Sequence, residues 1–545
     1  MGRSVWPLRA KMVASGVRRD LPSLARSPFD VLVIGGGIVG ACTARDAALR
    51  GLKVALVERD DFCGGISWNS LKIVHGGLRS LQSLDLAQAR HFVRERRTWL
   101  TIAPHLVEPL SVAVPTRGAG RESALLMRAG LALNDIVSRD RNRGVSPSRR
   151  LPHGRMLGSQ ELLALAPSAF PGYRGGVLFQ DAQLYSAERL VMAVLDDAVR
   201  AGAVIANYAE AVGPLLDRGA LAGAVVEDRI AGDRFDVRAS MVVNAAGAGA
   251  AEIAARIARR ASVVAPMTGI ALNLLIEGDG RTTAFAMVSR DGGRMRRLFV
   301  VPWRGRTIVG TAHYPCVGAP ASTEELEPYV ERFVREVAAA WPTRSITRES
   351  VLLVHAGMQP LHEMRGPPAH LIVDHANYGT PQMLTAVGPK LTTSRAIAAE
   401  LVDLVCARTG RTAKRCETAT RLLASAPAED VEVLVARALA ADRAGLPEDV
   451  VRHLVRSYGA NYEAIMALVR ERPALGGRVE AASPVIVAQL EYGLLEEMAV
   501  RTEDLVNRRT ELGQTARAMP RALALAGDQL RLVESPSALR DSRSL

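Results

Sequence analysis

Between Phe29 and Asp60 the chain reads FDVLVIGGGIVGACTARDAALRGLKVALVERD, an order of residue types that admits few backbone courses. A short apolar run, Val31 to Ile34, leads into Gly35-Gly36-Gly37-Ile38-Val39-Gly40. An alanine-rich segment of helical character follows, then a second apolar run, Val54 to Val57, ending on Glu58. Strand, glycine turn, helix, strand and acid are the parts of a dinucleotide site. Gly35 permits the tight turn, Gly37 lets a pyrophosphate approach the backbone, and Gly40 lets the helix pack on the strand. The helix N-terminus then offers N–H groups and its dipole to the phosphates. Glu58, 18 residues after Gly40, is placed to accept hydrogen bonds from an adenosine ribose. A glycine-rich turn in a plain α/β unit is the alternative, and the surrounding context favours the dinucleotide site.

A chain of 545 residues is long enough for two or three domains with real cores. The net charge of +13 is almost all arginine, since Lys11, Lys53, Lys72, Lys390 and Lys414 are the only lysines. Arginines are spread throughout without interleaved aromatics, which argues against nucleic acid as a partner; a basic surface favours anionic lipid or acidic substrates. Cys42, Cys63, Cys316, Cys406 and Cys416 are an odd number without CxxC spacing. They suggest neither a disulfide framework nor a metal site, and they favour a reducing, cytoplasmic compartment. No apolar run approaches the roughly 18 residues of a spanning helix, so contact with the inner face of a cell membrane would be peripheral. Residues 1–28 carry six basic residues against Asp20 and read as a basic, disordered arm.

The expected fold class is α/β: a Rossmann-like cofactor domain, an interleaved β-rich substrate domain and an all-α C-terminal domain. The first two share residues 29–410, with the middle sheet at about 262–311. Val351 to Gln359, Leu371 to Asp374 and Met383 to Val387 read as strands, and Glu324 to Trp341 as an amphipathic helix. Residues 411–525 show nearly continuous helical periodicity, and 526–545 read as a loose tail.

Beyond Glu58 come Ser67-Trp68-Asn69-Ser70-Leu71-Lys72-Ile73-Val74-His75-Gly76-Gly77-Leu78-Arg79, then APHLVEPL (103–110) and DAQLYSAERL (181–190). VVNAAGA (242–248), IVGTAHY (308–314), GMQPL (357–361), GPKLTTSR (388–395) and EYGLLEEMAVRTEDLVNRRTEL (491–512) follow in the same order. From about Phe29 to about Gly513 this resembles the FAD-dependent glycerol-3-phosphate dehydrogenase/oxidase family. The resemblance implies that Gly35, Gly37, Gly40 and Glu58 hold the ADP half of FAD. It implies that Ser67, Ser70, Lys72, His75, Gly76 and Gly77 lie along the ribityl chain and flavin, and that Gly247 lies near the phosphates. Gly388, Pro389, Lys390, Leu391 and Thr392 would cap the isoalloxazine edge. A strand feeding a helix start there can aim N–H groups at a flavin carbonyl edge, and Lys390 can add its cation.

The same resemblance implies arginines for a substrate phosphate, because their fork of donors matches phosphate oxygens. Here Gln359 stands in the G-x-R-P-L position and Val373 in the S-R-D-H position. Thr268-Gly269-Ile270-Ala271 lacks the family's lysine and histidine, and Ser80 and Ser394 replace tyrosines. Arg79, Arg365 and Arg395 remain to supply positive charge to the substrate. On a strand, His355, Gly357 and Gln359 would share a face, which makes His355 a candidate base beside His313 and Lys390. The implied activity is oxidation of sn-glycerol 3-phosphate to dihydroxyacetone phosphate by hydride transfer to flavin N5. Quinone or oxygen would be the electron acceptor, and the chain would be a homodimer. A different small hydroxy or amino substrate, or a catalytically silent flavoprotein, stays open.

Overall fold

The computed structural model describes residues 16–529, apart from 117–123, 166–172, 174, 259–263, 265–268, 292–293, 317, 319–321, 360–370, 389 and 516–522. By its internal contacts the chain divides into two compact units. One comprises residues 1–68, 186–265 and 369–545, the other residues 69–185 and 266–368.

In the first unit, every residue of β1 (Phe29–Ile34) is buried because the strand has neighbours on both sides and helices nearby. It runs parallel to β2 (Val54–Val57) and to β10 (Arg234–Asn244). β2 in turn pairs in parallel with β7 (Val204–Ala206), and β10 with β17 (Met383–Val387). β16 (Leu371–Asp374) closes that edge in the antiparallel sense. β8 (Ala209–Asp217) and β9 (Ala220–Asp228) form an antiparallel extension on the front half of β10. The helix Ile38–Leu49 is buried along almost its whole length, and Ala41, Ala44, Ala47 and Ala48 are among its buried residues. Small side chains allow this, since the helices Ala187–Arg200 and Ser394–Thr409 both pack against it.

The second unit is built on a nine-stranded sheet. Its strands are β3 (Ile73–Val74), β4 (Val107–Pro115), β5 (Arg155–Gly158), β6 (Gly175–Leu184), β11 (Gly269–Glu277), β12 (Ala284–Asp291), β13 (Arg294–Trp303), β14 (Arg306–Pro315) and β15 (Val351–Gln359). The middle sheet expected at about 262–311 is therefore one part of a larger sheet that also recruits residues 73–184 and 351–359. One face of β11 packs Ile270, Leu272, Leu274 and Ile276 against Val330, Phe333 and Val337 of the helix Thr323–Ala340, and against Trp341. Burying these aliphatic and aromatic side chains contributes about 1.5–3 kcal/mol each.

Two expectations need correction. Residues 16–28 are not a loose arm: Leu21–Arg26 is helical with Asp20 as its cap, and Arg19 pairs with Asp228 at 2.5 Å. The expected C-terminal helical domain is present: the helices Val431–Ala440, Glu448–Tyr458, Tyr462–Glu471 and Val487–Glu496 share a core of their own within the first compact unit. Helix continues over 523–529 with Ala526 fully buried, so the segment from 526 is not wholly a tail. Among the described residues no helix is long and apolar enough to cross a membrane.

Candidate functional site

Because β1, β2, β10 and β17 run parallel, their carboxyl ends share one edge of the first unit's sheet. Gly35, Glu58, Gly247 and Gly388 each follow directly on one of these ends, or within three residues of it. Open parallel sheets bind their ligands along such an edge. Gly35 has φ of +113°, and a Cβ there would lie 2.6 Å from the Ala245 carbonyl oxygen. At Gly40 a Cβ would overlap the Gly35 carbonyl outright, so the helix can start over the turn only with glycine there. No side chain caps that helix at Gly37, while Ser67 Oγ accepts from the Ile38 N–H at 3.0 Å. The Glu58 carboxylate accepts from the Gly36 N–H at 2.7 Å and the Asp60 N–H at 3.0 Å. Burial pushes its pKa up, against the pull of those two bonds.

Lys390 caps the turn Leu391–Thr393, from which the helix Ser394–Thr409 departs. Gly388 has φ of +68°, Lys390 and Leu391 are half-buried, and Thr392 is buried; Pro389 lies outside the described residues. Cys42 Sγ and Ser394 Oγ are 3.9 Å apart, so the helices leaving the two turns pack near their starts. Thus the amino-terminal fingerprint and the lysine-bearing turn are brought to one edge. Gly247, φ +55°, has open space where a Cβ would point. A helix start with glycine at its N-cap over a glycine cradle, with an anchored carboxylate on the next strand, fits the ADP half of a dinucleotide.

In the second unit, the polar candidates gather on the sheet face opposite the helix Thr323–Ala340. The register sets Asn273 opposite His355, Ala271 opposite Gly357, and Gly269 opposite Gln359. On its other side Ala271 faces His313. His355, Gly357, Gln359 and His313 therefore share one face. Gln359 Nε2 contacts His313 Nδ1, and both side chains are partly open. His355 is fully buried. Asn273 is also buried and accepts from Thr311 Oγ1 at 2.7 Å. Sequence reasoning missed Asn273 and Thr311, although an asparagine inside the apolar run ALNLLIE was a visible signal.

The Lys72–Arg79 segment has its own supports. Lys72 is buried with φ of +60°, and its Nζ lies 5.3 Å from the centre of the Trp303 ring. The Gly76 N–H donates to Asp181 Oδ1 at 2.6 Å, and Arg96 Nη1 donates to the same oxygen at 2.5 Å. A side chain at Gly76 would run into the Arg96 guanidinium, and the His75 ring meets Phe92 at a tilt, with ring centres 4.5 Å apart. Gly77, with φ of +76°, lies against Phe92, and Ser70 Oγ accepts from the Lys72 N–H at 3.3 Å. Arg79 sits in the short helix Leu78–Gln82.

Two substrate expectations change. Arg395 is 8% exposed and donates to Thr418 Oγ1 at 3.1 Å, so it is held by the chain's own C-terminal segment. Val373 lies in the apolar cluster with Leu32, Val242 and Met383, so its side chain packs in the core of the first unit. Arg365 lies outside the described residues. His375, fully buried, bonds Thr385 Oγ1 at 2.8 Å, and burial pushes its pKa down. It is a neutral packing histidine.

Comparison with known proteins gives these arrangements a family. A family described as FAD dependent oxidoreductase matches residues 30–404, and the C-terminal domain of alpha-glycerophosphate oxidase matches residues 416–534. Glycerol-3-phosphate dehydrogenase of a Synechocystis species is 32% identical over 91% of this chain and 90% of its own length. Glycerol-3-phosphate dehydrogenase 1 of Mycobacterium tuberculosis is 32% identical over 96% and 99%. Among solved structures, glycerol-3-phosphate dehydrogenase from Bacillus halodurans complexed with FAD shares the fold. Its TM-score is 0.72 at 23% identity, covering 96% of this chain and 94% of that one. Edge, fingerprint and family matches agree, and the chain belongs to the FAD-dependent glycerol-3-phosphate dehydrogenase family.

Proposed function

We propose that the protein oxidises sn-glycerol 3-phosphate to dihydroxyacetone phosphate. FAD, when bound, supplies a hydride acceptor at its N5. Glu58 holds the adenosine ribose, and the Gly35–Gly40 turn with its helix start receives the pyrophosphate. Gly247 flanks the phosphates, and the Gly388–Thr392 turn with Lys390 lies at the flavin's carbonyl edge, with Lys390 supplying positive charge there.

The Gln359–His313 contact carries the substrate half of the reading. A glutamine N–H donated to Nδ1 leaves the proton of the neutral ring on Nε2. His313 then presents an N–H donor to a substrate oxygen, partly replacing an arginine at position 359. With the amide turned over, Nε2 becomes a proton acceptor instead. His313 is thus better placed than His355, which shares the face but is fully buried, to touch a bound alcohol; His355 is the second candidate base. Arg79 is proposed to bring the substrate's phosphate its positive charge.

The same contact favours a second reading, a small hydroxy or amino substrate without a phosphate. Anaerobic bleaching of the flavin absorbance separates the two. Glycerol 3-phosphate should bleach it, and Gln359→Arg should lower the required concentration by about tenfold or more, one charge-assisted hydrogen bond being worth about 1.5–3 kcal/mol. Bleaching by hydroxy or amino acids alone would establish the second reading, and a silent panel would leave a flavoprotein without this activity.

For the electron acceptor we propose a membrane quinone. In the helix Ala124–Val137 no residue is buried, and Leu125, Leu126 and Ile136 are well exposed. Such an apolar surface helix suits peripheral contact with a bilayer. Reduction of a quinone analogue faster than oxygen, and co-sedimentation with anionic vesicles lost in Leu125→Glu/Ile136→Glu, would support this.

A further inference from the structure

The segment Glu497–Arg509 buries charge where a surface helix would expose it. Asp504 and Arg509 have no exposed surface, and Glu497 is 6% exposed. Arg509 and its neighbour Arg508 share one partner, Asp61, 1% exposed, just past the ribose-side acid Glu58. Asp61 accepts from Arg509 Nη1 at 2.8 Å and Nη2 at 2.7 Å, from Arg508 Nε at 2.6 Å, and from Asn207 Nδ2 at 2.9 Å. Consecutive residues of an α-helix point about 100° apart. Here both arginines reach one carboxylate because Leu505–Arg509 winds as a π-turn, a widening frequent at functional sites. Asp504 holds Arg508 at 2.7 Å and accepts the Tyr208 hydroxyl at 2.7 Å. Burial opposes ionisation of Asp61, but Arg509 and Arg508 outweigh it and hold the carboxyl below its usual range.

From Asp61 the connection runs into the glycine turn. Phe62 is fully buried, and its ring would lie 2.6 Å from a Cβ at Gly36. The Cys63 N–H donates to the Gly36 carbonyl at 3.0 Å, with Cys63 itself held at φ of +62°. Glu58 fixes the N–H of the same Gly36. Gly36 is thus gripped on both sides by the 58–63 segment, and that segment is gripped by Arg508 and Arg509. A buried ion pair adds little net stability over apolar packing, so its value lies in what it positions.

We propose that Arg508 and Arg509 are positioning residues for the dinucleotide turn: docked on Asp61, they hold residues 58–63 in the shape that receives FAD. This rests on the FAD assignment. Docking of the C-terminal helices and cofactor affinity are then coupled, and the coupling is reciprocal.

Two measurements on the full-length protein test it. In flavin-depleted wild type, added FAD should slow hydrogen exchange in peptides spanning 497–512. FAD titration of Asp61→Asn, Arg509→Lys and the milder Arg508→Gln should give dissociation constants raised about 5- to 150-fold, the span of typical coupling energies. A pair that served stability alone would lower the melting temperature with and without FAD equally and leave the dissociation constant unchanged. Unchanged affinity in Arg508→Gln together with no exchange protection in wild type overturns the proposal, even if the other variants fail to fold. Wild type that binds no FAD overturns the cofactor assignment instead.

Discussion

Replacing Gly35 by alanine isolates what the glycine turn contributes. Two costs add there. At φ of +113° a non-glycine residue is strained by about 1–3 kcal/mol. The new Cβ would also lie 2.6 Å from the Ala245 carbonyl oxygen, which is backbone and cannot swing away. The strands cannot part easily, because the Gly35 N–H donates to Val57 O at 2.8 Å and the Ala245 N–H to Ile34 O at 2.8 Å. Overpacking of this kind costs about 1–3 kcal/mol, so the total is about 2–6 kcal/mol. Gly51→Ala is the control, since Gly51 has φ of +90° but nothing within 4 Å of a Cβ, leaving the strain alone. Thermal unfolding and FAD titration of both variants read the two costs. If about 3 kcal/mol falls on the turn's cofactor-bound shape, the FAD dissociation constant of Gly35→Ala rises roughly 150-fold. Gly51→Ala should keep wild-type affinity. A Gly35→Ala protein that melts and binds FAD like wild type would refute the close approach of β1 and β10 at this turn.

Arg96→Met should destabilise the second unit by about 3–5 kcal/mol, because it strips the cation from buried Asp181. Burial already pushes Asp181 up, against the opposing pull of Arg96, so in the variant its pKa should rise further; calorimetry with a pH series checks both statements. Glu496 titrates in the opposite sense to a salt-bridged acid. Burial raises it to about 7, opposed by Arg18 and reinforced by Glu497 and Asp196. Its folded pKa exceeds its unfolded one, so its contribution is intact below the unfolded value and is lost as pH rises through about 7. Glu496→Gln should therefore raise the melting temperature more at pH about 8 than at pH about 5. A shift of equal size at both would show that Glu496 is not the group titrating.

Local patterns carried a large part of this molecule in the open. The fingerprint from Phe29 to Glu58, and the strands Val351–Gln359, Leu371–Asp374 and Met383–Val387, are legible because period, β-branching and glycine placement act within a few residues. Alternation along one strand also grouped His355 with Gln359. Tertiary structure alone decided which distant groups meet. It joined Asp61 to Arg509, 448 residues away, and set His313 beside Gln359 by placing β11 between their strands. It put Val373 in a core and turned Arg395 toward Thr418, where motif position had suggested substrate. It also ordered residues 16–28 through Arg19 and Asp228. The reason is physical: backbone preference is set by neighbours in the chain. Pairing of buried charges is set by whichever strands and helices the topology brings together, and no local period encodes that choice.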